Sequence, residues 1–216
     1  MERTLSQPPD LDEISRRTLG HYSASAERFW EGTRDHDVSQ NIEALLGAIG
    51  AEGPCRILDF GCGPGRDLVD LVRRGHLPTG LDGAAPFVEM ARGRAELQAA
   101  GVEVWHQDFL ALELPEGHFD GVFANASLFH VPSSELPRVL GQLRQSLRPG
   151  GVLFSSNPRG LNNEGWSGER YGAWHDLERW TAFVTGAGFE AIDHYYRPAG
   201  LPREQQSWLA SLWRRP

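Results

Sequence analysis

The sequence predicts an α/β protein with a doubly wound, mostly parallel sheet, and two observations lead to that prediction. Residues 56–60 (Arg-Ile-Leu-Asp-Phe) read as a short buried strand, which a glycine-rich turn connects to an apolar-periodic helix at residues 66–74. Short apolar runs and amphipathic stretches then alternate as far as residue 186, as they do where helices connect parallel strands.

The remaining elements follow from apolar periodicity and from glycine or proline breaks. Further strands are predicted at residues 77–82, 102–106, 119–125, 152–156, 190–197 and 207–213, and further helices at residues 84–99, 135–147 and 177–186. The chain before residue 55 contains only helical patterns, at about residues 11–18 and 23–30 and around Ile42, Leu45, Leu46 and Ile49. We therefore expect a helical cap at residues 1–53 and a single compact unit at residues 54–216.

Composition limits the classes of function. A chain of 216 residues that is 40% hydrophobic suits one domain with an added cap, and it has no apolar run near the ~18 residues that span a bilayer. Residues 1–20 are polar and mixed in charge, so we expect no signal peptide, no membrane association and a cytoplasmic location. The net charge is −8 and the arginines are scattered, which argues against a nucleic-acid substrate.

The lysine and cysteine content of the chain limits the chemistry that it can carry out. All 21 basic residues are arginine, which excludes a Schiff-base lysine and a lysine-dependent phosphate loop on this chain. The two cysteines, Cys55 and Cys62, flank a predicted strand that holds them apart, so neither a disulfide nor a metal site is expected.

The turn after the first strand reads Asp59-Phe60-Gly61-Cys62-Gly63-Pro64-Gly65, with glycines at alternate positions. This spacing differs from the Gly-x-Gly-x-x-Gly of dinucleotide-binding proteins. The segment resembles the first motif of the class I S-adenosylmethionine (SAM) methyltransferases. The resemblance covers about residues 54–216 and implies a seven-stranded sheet whose last strand is antiparallel. It also implies SAM as the cofactor, S-adenosylhomocysteine as its product, and cofactor contacts at Asp59, Gly61, Gly63 and Gly65. The alternative is a tight turn that binds no ligand.

Acidic residues follow the second and third predicted strands. Asp82 lies 21 residues beyond Gly61, where an acid can accept both ribose hydroxyls, with Gly83 beside it. Its alternative role is to cap the helix that starts near Ala84. Asp108 and Phe109 match the acid and the apolar neighbour that the resembled family places at the adenine ring.

The end of the fourth strand provides further candidates. The resemblance places Asn125 and Ala126 beside the methionine part of SAM and the transferred methyl group. His130 follows them and is the preferred candidate for a substrate-side base, because imidazole titrates near neutrality. A hydrogen-bonded structural histidine is the alternative.

The predicted cap contributes a polar stretch at residues 31–41 and two aromatic residues. Arg34 is a candidate substrate contact and His36 a second candidate base, although the stretch also reads as a helix N-terminus with capping aspartates. Tyr22 and Trp30 are predicted to cover the sulfonium, with ordinary helix packing as the alternative.

Residues 157–175 are predicted to form a long polar loop, and such loops often close over a site. Aromatic rings with arginines suit a small substrate that carries a carboxylate or a conjugated ring. The candidate substrate residues here are Arg159, Arg170, Tyr171, Trp174 and His175. The alternative is an irregular surface loop.

Taken together, these residues predict methylation of N, O or S on a small, amino-acid-like or heterocyclic metabolite, by positioning for in-line displacement. A monomer or a homodimer is expected. The alternatives are a SAM-binding module without catalysis and, less favoured, a nicotinamide-dependent dehydrogenase.

Overall fold

The computed structural model describes residues 10–216, so the part of the predicted cap at residues 1–9 lies outside the described chain. The helices are α1 (Leu11–Ala24), α2 (Ala26–Thr33), α3 (Ser39–Ile49), α4 (Arg66–Arg73), α5 (Ala85–Arg92), α6 (Ala95–Ala99), α7 (Leu136–Ser146) and α8 (Leu177–Gly186). The strands are β1 (Arg56–Phe60), β2 (Leu77–Asp82), β3 (Val104–His106), β4 (Phe119–Asn125), β5 (Leu147–Pro158), β6 (Asn163–Ser167), β7 (Arg170–Trp174), β8 (Glu190–Arg197) and β9 (Trp208–Arg214).

Seven of these strands form one sheet in the order β3-β2-β1-β4-β5-β9-β8. The first five run parallel, whereas β9 runs antiparallel to both β5 and β8. The predicted doubly wound sheet with an antiparallel last strand is therefore confirmed. The strand order reverses between β1 and β4, and in open α/β sheets ligands bind at the carboxyl ends of the strands at this reversal.

Both faces of the sheet are buried, because side chains alternate along each strand. On one face Leu58 and Phe60 pack with Leu140 of α7 and Trp180 of α8. On the other, the apolar residues of β1, β4 and β5 pack with two residues of α3, the set being Ile57, Phe123, Phe154, Ile42 and Leu45. The sheet is thus a rigid support for the loops at its carboxyl edge.

The three N-terminal helices occupy two positions. α3 packs against β4, β5 and β9 in the helical layer, whereas residues of α1 and α2 line the cavity at the carboxyl ends of the strands. The division into a cap at residues 1–53 and a unit at residues 54–216 stays a prediction. No helix within residues 10–216 has the length and apolar character needed to cross a bilayer.

Two predicted elements were wrong. The single helix at residues 84–99 is two helices, because Gly93 ends α5 and Arg94 is extended, with ψ 123°. The loop at residues 157–175 contains the β6–β7 hairpin, in which Trp166 pairs with Tyr171 across a turn where Gly168 has φ 64°. Strand β5 is also longer than the predicted residues 152–156: it begins at Leu147 and ends at Pro158.

Candidate active site

A cavity of about 750 Å³ opens at the carboxyl ends of the parallel strands, between the sheet and helices α1 and α2. It contains most of the residues that the sequence singled out. These are Tyr22, Trp30, His36, Gly61, Gly63, Asp82, Gly83, Asp108, Phe109, Asn125, Ala126, His130 and Arg170. The volume lies within the range of small-molecule sites, which run to roughly 1,000 Å³.

The glycine loop forms one wall of this cavity. Gly61 has φ 84°, and a Cβ there would lie only 2.5 Å from the Cβ of Ser127, so the position requires glycine. The amides of Gly61 and Cys62 both donate to the Leu81 carbonyl, and that of Gly63 donates to Asp82. The loop therefore presents a close main-chain surface, and its first amides are already engaged within the protein.

Asp82 holds this loop against the next helix. One carboxylate oxygen accepts from Gly63 N at 2.9 Å and the other from Ala84 N at 2.8 Å. Burial raises the pKa of Asp82, and the two hydrogen bonds oppose that shift. Asp82 thus bonds the residue that caps α5 and also faces the cavity, where each oxygen keeps a second acceptor position; its contact with a ribose stays a prediction.

Asp108 and Phe109 lie where β3 leads into the cavity. One Asp108 oxygen accepts from Leu110 N at 2.9 Å, and the other accepts from the Ser15 hydroxyl of α1. The Phe109 ring stacks on Phe60, with 4.1 Å between the ring centroids. Helix α1 therefore bonds directly to the carboxylate that is predicted to meet the adenine.

Two further acids and one arginine lie around the loop. Asp59 is fully buried, and burial, with the nearby charge of Asp67, raises its pKa well above the ordinary range. Arg66 pairs with Asp67 at 2.6 Å and donates to the Thr33 carbonyl of α2 at 2.7 Å. Arg66 and Asp67 line the cavity and were missed from the sequence, because they look like an ordinary exposed start of α4.

His130 and Tyr22 form a directly bonded pair. The Nδ1 atom of His130 lies 2.7 Å from the Tyr171 carbonyl, so Nδ1 must carry the hydrogen, and Nε2 accepts from the Tyr22 hydroxyl at 2.7 Å. Burial lowers the pKa of His130 to about 4. Burial also raises the pKa of Tyr22, against the effect of the neighbouring Arg170 guanidinium. Near neutral pH the pair is an uncharged imidazole and an uncharged phenol.

A second hydrogen-bonded network orients Asn125. Asn41 of α3 accepts through Oδ1 from the Tyr195 hydroxyl at 2.8 Å and from Arg197 at 3.0 Å. Its Nδ2 therefore donates to the Asn125 Oδ1, at 3.0 Å, which turns the Asn125 Nδ2 group towards other acceptors. Asn41 and Arg197 line the cavity, although neither was a candidate from the sequence; Asn41 is the last residue of the polar stretch at residues 31–41.

The other predicted site residues lie outside the lining of this cavity: Asp59, Gly65, Arg34, Arg159, Tyr171, Trp174 and His175. A Cβ at Gly65 would lie 3.1 Å from Ala91, so this glycine serves helix packing. Arg159 donates to the Arg203 carbonyl, and His175 lies 3.2 Å from the Ser133 hydroxyl. Tyr171 acts through its main chain, which bonds His130 and Thr18.

The fold and the site together define a Rossmann-like protein with a cavity of small-molecule size at the carboxyl ends of its parallel strands. The family described as "Methyltransferase domain" matches residues 57–151. An uncharacterized methyltransferase of Mycobacterium tuberculosis is 34% identical over 113 residues, which cover 52% of this chain and 55% of the relative. The chain thus spans about half the length of such curated relatives.

Two solved structures share the fold over nearly the whole chain. The 1,6-didemethyltoxoflavin-N1-methyltransferase of Burkholderia thailandensis superposes with a TM-score of 0.75 at 20% identity, over 99% of this chain and 92% of that one. The [4+2]-cyclase SpnF superposes with a TM-score of 0.72 at 18% identity, over 94% and 97% of the two chains. Residues 57–151 thus match a methyltransferase domain, and the chain as a whole shares its fold with these two proteins.

Proposed function

We propose that the protein transfers a methyl group from SAM to a nitrogen, oxygen or sulfur atom of a small molecule. The observation that carries the proposal is that one cavity brings together the glycine loop, the acids Asp82 and Asp108, and the His130–Tyr22 pair. Cofactor-side and acceptor-side chemistry are thus adjacent in a single enclosed space.

The residues present fit the proposed cofactor. Asp82 and Asp108 keep acceptor positions for the ribose hydroxyls and the adenine amino group, and Phe109 offers an apolar surface beside them. Without a Cβ at Gly61, the loop can approach a ligand closely. SAM would supply a methyl group already activated on a cationic sulfur, which suits a cavity that several carboxylates line.

The protein's own residues position the methyl acceptor and accept a hydrogen bond from it. A pKa of about 4 makes His130 a weak base, and its Nε2 already accepts from the Tyr22 hydroxyl, so His130 is poorly suited to removing a hydroxyl proton. The Tyr22 oxygen, whose hydrogen points to His130, keeps acceptor capacity for an N–H or O–H of the methyl acceptor. Holding the reacting atoms in line can contribute several kcal/mol, up to about 7–11 in ideal cases. His36, the second predicted base, lies exposed at the cavity rim.

The loop geometry also separates this proposal from a dehydrogenase. A dinucleotide needs free main-chain N–H groups for its pyrophosphate, and here the amides of Gly61, Cys62 and Gly63 already have partners. The fold is also that of a [4+2]-cyclase, so the fold alone does not determine methyl transfer, and a SAM-binding module without catalysis is the second candidate.

Calorimetric titration with S-adenosylhomocysteine tests the cofactor. We expect saturable binding to the wild type, affinity at least about tenfold lower in Asp82→Asn, and unchanged affinity in Asp70→Asn, an α4 carboxylate paired with Arg74. NAD⁺ should not bind. Absence of saturable binding would refute the proposal. Labelled methyl transfer from SAM into a metabolite extract then distinguishes an enzyme from a binding module and identifies the acceptor.

A further inference from the structure

Arg170 is a cavity cation without a counter-charge. It lines the cavity from the first position of β7, yet none of the ion pairs within residues 10–216 includes it. Its neighbour Glu169 instead pairs with Arg17 at 3.0 Å. The cavity arginine of α4, Arg66, is paired with Asp67. Arg197, the third arginine that lines the cavity, is likewise outside these ion pairs, but its guanidinium donates to the Asn41 amide oxygen at 3.0 Å.

The side chain also has an unused donor. The Nε atom of Arg170 is buried and has no hydrogen-bond partner within the described chain. A buried donor left in this state costs roughly 1–3 kcal/mol, and more when the group is charged. An acceptor that entered the cavity beside Arg170 would remove this cost.

The main chain next to Arg170 is firmly held. In the hairpin Arg170 pairs with Ser167, and the adjacent Tyr171 donates its N–H to the Thr18 hydroxyl at 3.0 Å while its carbonyl binds His130. The guanidinium carbon lies 5.9 Å from the centroid of the Tyr22 ring. The guanidinium thus extends from an anchored main chain and lies beside the Tyr22–His130 pair.

We propose that Arg170 binds a carboxylate of the methyl acceptor, and this inference rests on the proposed function. A carboxylate can take two parallel hydrogen bonds from Nε and one terminal nitrogen of a guanidinium, which would use the buried donor that has no partner. The pairing would hold the acceptor beside His130 and select against neutral molecules, because these leave the charge unpaired. The carboxylate of the cofactor itself has the same chemistry, so the experiment separates the two sources.

Benzoate and benzamide are suitable probes, because they differ in charge at nearly constant shape and because Phe129 and Trp208 line the cavity with apolar surface. Calorimetry on the complex with S-adenosylhomocysteine should show that the wild type prefers benzoate by about tenfold or more. Arg170→Met should abolish the preference. Arg73→Met, which removes an exposed α4 cation, should keep it.

A second titration addresses the cofactor's carboxylate. The comparison ligand is 5′-methylthioadenosine, which lacks the amino-acid part of S-adenosylhomocysteine. Arg170→Met should lower the affinity for both ligands by the same factor or leave both affinities unchanged. A selective loss for S-adenosylhomocysteine would assign Arg170 to the cofactor and overturn the inference. Lack of a benzoate preference in the wild type would also overturn it. Failure of S-adenosylhomocysteine to bind the wild type would instead count against the proposed function.

Discussion

At the residue scale, His130 shows how the fold sets the state of a titratable group. The Tyr171 carbonyl fixes the hydrogen on Nδ1, and burial keeps the ring neutral near physiological pH. The Arg170 charge acts in the same direction on the His130 pKa. An uncharged acceptor nitrogen is useful next to a cationic methyl donor, because a protonated imidazole would repel it.

Replacing His130 with glutamine should flatten the dependence of folding stability on pH. The imidazole has a pKa near 6.5 when unfolded and about 4 when folded, so between these values the unfolded chain binds the extra proton. The contribution of His130 is therefore complete above about pH 6.5 and is lost as the pH falls towards 4. It should decrease by about 2 kcal/mol between about pH 7 and pH 5, as urea unfolding can measure.

Burial also lowers the pKa values of His76 and His175, which therefore contribute to the pH dependence of stability. Both residues are present in the wild type and in the variant, so the difference between the two proteins reports on His130 alone. His194→Gln, an exposed change on β8, should keep the wild-type slope. An unchanged slope in His130→Gln would show that the imidazole is not held neutral.

The sequence identified the cavity-lining residues at the strand ends and missed those that distant contacts bring to the cavity. Asp82, Asp108 and Asn125 follow parallel strands, whose carboxyl ends converge whatever the side chains are. Asn41 and Arg197 reach the cavity through hydrogen bonds between distant parts of the chain. The Asn41–Asn125 bond connects residues that are 84 positions apart, and the Asn41–Arg197 bond connects residues that are 156 positions apart. No local pattern encodes such a pairing.

At the element scale, the β6–β7 hairpin is likewise a feature that the local sequence pattern did not predict. Its sequence is polar and glycine-rich, so local propensity favours a loop. Contacts with helix α1 stabilise the hairpin. Arg17 lies 3.9 Å from the centroid of the Trp166 ring and pairs with Glu169. The Thr18 hydroxyl accepts a hydrogen bond from Tyr171 N. The hairpin is therefore a product of tertiary contact with the predicted cap.

Thr18→Val should loosen the hairpin. The change removes the hydroxyl that accepts from the buried Tyr171 amide at 3.0 Å, and an unsatisfied buried donor costs about 1–3 kcal/mol. Chemical denaturation should show that loss, and amide exchange should accelerate in β7. Thr185→Val on α8, where the hydroxyl bonds only its own helix, should stay within about 0.5 kcal/mol of the wild type. Equal effects of the two variants would contradict the assignment.

At the scale of the whole molecule, α1 and α2 cover the cavity through contacts with the sheet edge. Ser15 bonds Asp108, Tyr22 bonds His130, and the Phe29 and Phe87 rings lie 4.9 Å apart between centroids. Two of these contacts involve residues proposed to bind the cofactor or the acceptor. Ligand entry and the position of the two helices are therefore energetically coupled.

Saturation with S-adenosylhomocysteine should consequently slow amide exchange in residues 11–33. A ligand that binds only the closed arrangement stabilises it by about 2.7 kcal/mol at 100 times its dissociation constant, which corresponds to about 100-fold slower exchange through opening of the helices. Helix α6 packs with α4, and none of its residues lines this cavity, so its amides should change little. Mass spectrometry of the exchanged peptides measures the exchange rates of residues 11–33 and of α6. Equal slowing of α6 and of α1–α2 would mean that the ligand stabilises the fold as a whole and that the two helices do not open separately.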